Sequence, residues 1–155
     1  MNIKSIVYAF TCLSFSVVIG AAIYEHIAVV PRWSAAPPLS LSMFQGEYGL
    51  NPTPFWIAIH PVTLALLAVS IILFWKTGSR SHLLITSIGY LLILAVTFAF
   101  FVPELVAITG SAMSENADIS LTKRAGLWET LSLVRLSFLV VLSIILFLGL
   151  TRRQD

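Results

Sequence analysis

The sequence predicts an all-α fold, an integral membrane bundle of four antiparallel helices, and three observations point there. Of the 155 residues, 58% are hydrophobic and only 10% charged, against roughly half and a quarter in ordinary soluble domains. Mean hydropathy is +0.95. The apolar residues are also gathered into blocks: no charge interrupts Ser5 to Tyr24 or Leu83 to Pro103, and between Tyr48 and Trp75 only His60 joins Tyr48 as an ionisable group. Blocks of this size reach the roughly 20 residues that a helix needs to cross a bilayer. The same arithmetic excludes disorder and collagen-like repeats, and a single cysteine, Cys12, excludes a disulfide scaffold. A dispersed net charge of +2 offers no nucleic-acid surface.

The first helix is expected at about 4–30, with Pro31 as its exit. Lys4, an apolar stretch and the small residues Gly20, Ala21 and Ala22 also fit a cleaved signal peptide, but the run continues smoothly into Val30, which favours a spanning helix. A loop over 31–53 follows, punctuated by Pro37, Pro38, Gly46, Gly49 and Pro52. Its apolar content, Leu39, Leu41, Met43, Phe44 and Leu50 besides Trp33 and Tyr48, predicts a segment folded back over the bundle end, with one short helix after Ser40. Asn51, Thr53 and Pro54 open the second helix, at about 54–76. The short turn from Lys76 to Arg80 leads to the third, at about 81–108. In the fourth, at about 122–151, the charge-free part from Leu136 to Thr151 covers only about 24 Å of a core about 30 Å thick. The helix must extend back through Arg135 and Glu129, which draws both towards the hydrocarbon.

Orientation follows from the basic residues. Lys4, Lys76, Arg80, Arg152 and Arg153 share one side, against Arg32, Lys123 and Arg124 on the other. The excess predicts both termini in the cytoplasm, as a multi-pass protein of the cytoplasmic membrane.

Ionisable residues inside a bilayer are costly and so are candidates for function. Glu25 and His26 lie near the outer end of the first helix, His60 near the outer start of the second, Glu104 at the close of the third, and Trp128, Glu129 and Arg135 at the opening of the fourth. All belong to the outer half. Helical spacing places Trp56, His60, Thr63, Leu67 and Ser70 on one face, Tyr90, Thr97 and Glu104 on another, Trp128, Ser132 and Arg135 on a third, and Ser14, Ala21 and Glu25 on a fourth. Lipid cannot satisfy these groups, so the four stripes are expected to face one another.

Two accounts of this polar end compete. In the first, Arg135 pairs with Glu25, Glu104 or Glu129 and the group merely fixes helix register in a noncatalytic accessory protein, packed in a homo-oligomer or a larger membrane complex. In the second, Glu25, His60, Glu104 and Arg135 are catalytic groups of an outward-facing site. There Trp33, Tyr48, Trp56, Trp128 and Glu129 surround a small apolar or aromatic ligand, beneath the long loop. A transition metal held by His26, His60 and Glu104 is one chemistry of that site, and a haem with His26 or His60 as axial ligand is another. Acid–base chemistry without a metal is the third, with a buried carboxyl as the proton acceptor and His60 as its partner. The sequence itself names no cofactor. No serine-nucleophile motif, phosphate-cradling glycine loop or cysteine site is present, which removes hydrolase, kinase and thiol-redox readings.

The segment from Trp128 to Arg135, WETLSLVR, resembles the fourth-helix signature of the anthrone oxygenase-like family of small four-helix membrane proteins. Those proteins carry a Trp followed seven residues later by an Arg; many have a His in between, where this chain has Ser132. The stretches Met43–Asn51 and Phe55–Pro61 resemble a subgroup of such proteins. The resemblance implies oxygen chemistry on an aromatic or polycyclic apolar molecule.

Overall fold

A computed structural model describes residues 3–152. Its secondary structure is helical throughout, with no strand among the described residues. Four helices are long and apolar enough to cross a membrane: α1 (Ile3–Ser34), α2 (Thr53–Leu73), α3 (Arg80–Thr109) and α4 (Ile119–Leu150). Arg153, counted above among the basic residues, lies outside the described residues.

The boundaries differ from expectation in instructive ways. Helix α1 does not leave at Pro31 but runs on to Ser34, through a π-helical turn at Glu25–Val29. Proline lacks an N–H and its ring crowds the carbonyl four residues back. The wider turn just upstream of Pro31 accommodates that loss without ending the helix. Helix α3 repeats the arrangement at the same offset, with a π turn at Thr97–Phe101 ahead of Pro103. Helix α2 stops at Leu73, before Trp75 and Lys76. Helix α4 starts three residues earlier than expected because the Asp118 carboxylate accepts the Leu121 N–H at 2.8 Å and caps it. At 1.5 Å per residue α4 is about 48 Å long, well beyond a hydrocarbon core of about 30 Å. That length exceeds what a perpendicular crossing would need.

Side-chain hydroxyls join the helices, the usual device where lipid removes the hydrophobic drive for association. Ser14 bonds Thr63 at 2.6 Å and Thr11 bonds Ser70 at 2.7 Å between α1 and α2. The Tyr8 hydroxyl donates to the Leu146 carbonyl at 2.8 Å, and Ser79 donates to that of Gly149 at 2.8 Å. A side chain at Gly149 would collide with the Tyr8 hydroxyl and with His82, so only glycine lets α4 come this close.

The interior has two apolar parts. One, with Tyr8, Phe15, Leu67, Phe74, Leu83 and Tyr90, fills the middle of the bundle and the end near the short α2–α3 turn. The other, with Trp33, Leu41, Phe101, Ile108, Ala125 and Trp128, fills the opposite end, here called the loop end. The connection between α1 and α2 contributes directly to this second part. A 3₁₀ helix at Leu39–Phe44 buries Leu41, Ser40 donates to the Trp33 carbonyl at 2.6 Å, and the Asp118 N–H donates to the Pro37 carbonyl at 2.8 Å. The short helix expected after Ser40 thus begins two residues earlier, at Leu39. Apolar side chains such as Ile72, Leu92 and Phe98 point outwards, as a lipid-facing surface requires.

Candidate functional site

Four side chains from three helices form a continuous polar line towards the loop end. Glu25, the first residue of the α1 π turn, accepts the Trp56 indole N–H at 2.9 Å. One helical turn on, the His60 ring stacks on Trp56 at 5.3 Å between centroids, with 22° between the planes. Imidazole Nδ1 of His60 and the Tyr90 hydroxyl then share a hydrogen bond of 2.7 Å. Tyr90 is buried and its ring meets Phe15 edge-on at 5.1 Å. The α2 stripe of Trp56, His60, Thr63 and Ser70 does face the α1 stripe of Ser14 and Glu25, as periodicity predicts.

Arg135 of α4 has hydroxyl partners in place of the carboxylate expected in the ion-pair account. Its guanidinium donates to Thr97 Oγ1 at 3.0 Å and to Ser132 Oγ at 2.8 Å, and its face covers the Phe101 ring at 4.2 Å. Among the described residues no carboxylate lies within ion-pair distance of it. Both ends of the α3 π turn, Thr97 and Phe101, thus serve to hold Arg135.

Beside this lies an aromatic group. His26 stacks on Trp128 with ring planes 8° apart and centroids 6.5 Å apart. Trp33 meets Trp128 edge-on at 5.4 Å, and the Trp128 N–H donates to the Phe101 carbonyl at 2.9 Å. His26 Nδ1 bonds the Ala22 carbonyl at 2.8 Å, so that nitrogen carries a proton, while Nε2 is buried without a partner among the described residues. Glu129 accepts the Ser34 hydroxyl at 2.8 Å, tying α4 to the end of α1. A cleft of about 370 Å³ opens at this end, and Glu25, Trp33, Trp128, Asn51 and Thr53 are among the residues that line it.

Of the expected catalytic groups, Glu25 and His60 therefore join one network, while Arg135 is held by Thr97, Ser132 and Phe101. Trp33 and Trp128 line the cleft, whereas Trp56 is not among its lining residues and reaches it only through Glu25. Glu104 does not line it. It forms a two-point ion pair with Arg124, at 2.7 and 2.9 Å, on an exposed part of the α3–α4 edge. The seven-residue spacing of Tyr90, Thr97 and Glu104 implies a common face only in an unbroken α-helix. The π turn inserts an extra residue after Thr97, and at about 100° per residue this rotates Glu104 out of the stripe. Tyr48 is 93% exposed on the connecting segment and is not among the residues that line the cleft. Nor are His26, His60 and Glu104 assembled as a metal-ligand set, since no group of three or more such side chains comes together among the described residues. Tyr90, Thr97 and Ser132 were visible as stripe members, yet their site contacts were not. Phe101 and Ser34 gave no signal in the sequence.

No family model, curated protein or solved structure matches the chain.

Proposed function

We propose that the chain is an antiparallel four-helix protein of the cytoplasmic membrane that binds a small apolar or aromatic molecule in the cleft at its loop end, which faces outwards. Oxidoreductase or oxygenase-like chemistry is the activity that best suits it, in keeping with the resemblance of Trp128–Arg135 to anthrone oxygenase-like proteins. One observation carries the reading: the cleft is walled by Trp33 and Trp128 and includes Glu25, the end of the Glu25–Trp56–His60–Tyr90 line. Mostly apolar pockets with a few convergent polar groups are the usual form of small-molecule sites. Glu25 is the group placed to take a proton from a bound hydroxy-aromatic molecule, and Trp56 orients its carboxylate. His60 and Tyr90 back the stack from within the bundle.

The antiparallel arrangement is supported by the descending register of contacts, Thr11 with Ser70, Ser14 with Thr63 and Glu25 with Trp56. Lys4, Lys76, Arg80 and Arg152 support a cytoplasmic placement of the termini. Single cysteines at Lys76 and Tyr48, both exposed, are expected to show opposite reactivity towards a membrane-impermeant maleimide. Cys12 is buried and gives little background. Equal labelling of both positions from outside the cell removes the proposed orientation.

A noncatalytic accessory role, in a homo-oligomer or beside a larger membrane complex, is favoured by a different observation: Ser34–Glu129, Trp128–Phe101 and Arg135–Thr97 each cross between helices. Mass spectrometry of small molecules retained through purification separates the two. The binding reading expects an apolar or aromatic compound on the wild-type protein and its loss from His60→Ala. Absence of any such compound from the wild-type protein, with only a lower Tm for His60→Ala, leaves the accessory role.

A further inference from the structure

Three tryptophans stand at the loop end, and the N–H groups of two of them are taken within the protein: Trp56 donates to Glu25 and Trp128 to the Phe101 carbonyl. Trp33 differs. The residue is 2% exposed, its ring packs edge-on against Trp128, and its carbonyl accepts from Ser40, so ring and backbone are both held. Yet Nε1 of Trp33 has no hydrogen-bond partner among the described residues, and it is not one of the buried polar atoms that lack one. The sliver of surface that Trp33 keeps therefore includes its N–H. Trp33 lines the loop-end cleft, and polar atoms form part of that cleft's open surface. A buried tryptophan N–H ordinarily finds an acceptor, and leaving one without is costly.

The cleft offers an acceptor as well. Glu25 Oε1 takes the Trp56 N–H, while Oε2 has no partner among the described residues and is not buried. Glu25 and Trp33 are eight residues apart on α1, a spacing that turns them about 80° from each other in an unbroken α-helix. The π turn at Glu25–Val29 takes up one residue between them. They then stand as i and i+7, about 20° apart and separated by about 10–12 Å along the axis. One cleft accordingly has both in its wall, and among its lining residues Glu25 alone carries a charge.

From this fixed, unpartnered donor and this acceptor on one face of a helix, we infer that the Trp33 N–H is a specificity-determining contact, and that the cleft takes an elongated hydroxy-aromatic molecule with its hydroxyl on Glu25 and an acceptor oxygen at its opposite end on Trp33. The inference rests on the small-molecule reading of the cleft and adds the polarity and the length of its occupant. A para-substituted ring with a hydrogen bond at each end covers the separation along α1, and Phe44, Leu105 and Trp128 enclose its body. An anionic end group is disfavoured, because the lining residues hold a carboxylate and no cation. An acyl chain has neither polar group and leaves both protein atoms unpaired.

Titration calorimetry of the full chain in phosphatidylcholine nanodiscs, corrected with empty nanodiscs, tests this with a matched pair of ligands. Para-hydroxyacetophenone and para-ethylphenol share the ring and the hydroxyl and differ in one carbonyl oxygen. Trp33→Phe is expected to shift the ratio of their affinities about tenfold against the carbonyl compound, the size of effect that losing one buried donor produces. The ratio cancels the difference in hydrophobicity between the two ligands and the loss of ring area. Trp128→Phe should leave the ratio where it is, since that N–H is committed to Phe101. Glu25→Leu should weaken both ligands together, which locates them in the cleft. Should Trp33→Phe fail to fold, 3-benzothienylalanine at the same position keeps the ring shape, lacks the N–H and carries the same comparison. A ratio that Trp33→Phe leaves unchanged overturns the inference while the cleft reading stands. Binding of neither ligand, or binding indifferent to Glu25→Leu, overturns both.

Discussion

Trp128→Ala is expected to lower the stability of the protein by about 3–5 kcal/mol, the range for emptying a buried large aromatic site, as measured by denaturant unfolding in detergent. Trp128 is 5% exposed and joins three helices: His26 and Trp33 of α1 and Phe101 of α3 all pack on a ring carried by α4. Its N–H also occupies the carbonyl of Phe101, at the end of the α3 π turn. Truncation thus opens a cavity and strands an acceptor. Trp128→Phe separates the two losses, because it keeps most of the ring contact and removes the donor, at a cost of about 1 kcal/mol. A Trp128→Ala variant as stable as the wild type would show that the loop-end cluster holds nothing together.

A contrast between two glutamates is expected to give the largest functional effect. Glu25→Leu should reduce occupancy by the co-purified small molecule at least about tenfold, equivalent to about 1.4 kcal/mol, whereas Glu104→Leu should leave it unchanged. Glu25 lines the cleft and orients Trp56, while Glu104 is engaged with Arg124 on the exposed edge. Glu25→Gln sharpens the reading. It keeps an acceptor for the Trp56 N–H and gives up the carboxylate, so binding should survive and any proton-transfer step should fail. Equal losses from the Glu25 and Glu104 variants would mean that the cleft is not the binding site.

These contrasts could not be drawn from the sequence. Glu25 and Glu104 look alike there: each sits near the end of an apolar run, at one depth, in a stripe of helical spacing. Depth is legible because it depends only on counting residues from the ends of a run. Facing direction is not, because a single π turn resets it. Prolines 31 and 103 were the available signal, each two residues beyond a π turn, but a proline can equally end a helix, as was expected of Pro31. Arg135 shows a second limit. In composition it is the natural partner of three carboxylates, yet Thr97 and Ser132 reach it and the carboxylates are taken by Trp56, Arg124 and Ser34.

By itself the sequence determined that four helices are long and apolar enough to cross a membrane, roughly where each lies, and that the ionisable groups gather towards one end. Hydrophobic run length and the cost of burying charge are properties of the chain in one dimension, so they can be read from it. The tertiary structure decided which groups meet: Glu25 with Trp56, His60 with Tyr90, Arg135 with hydroxyls, and Glu104 with none of them. That outcome depends on helix rotation and on competition among donors for a few acceptors, which are settled only when all four helices are packed at once.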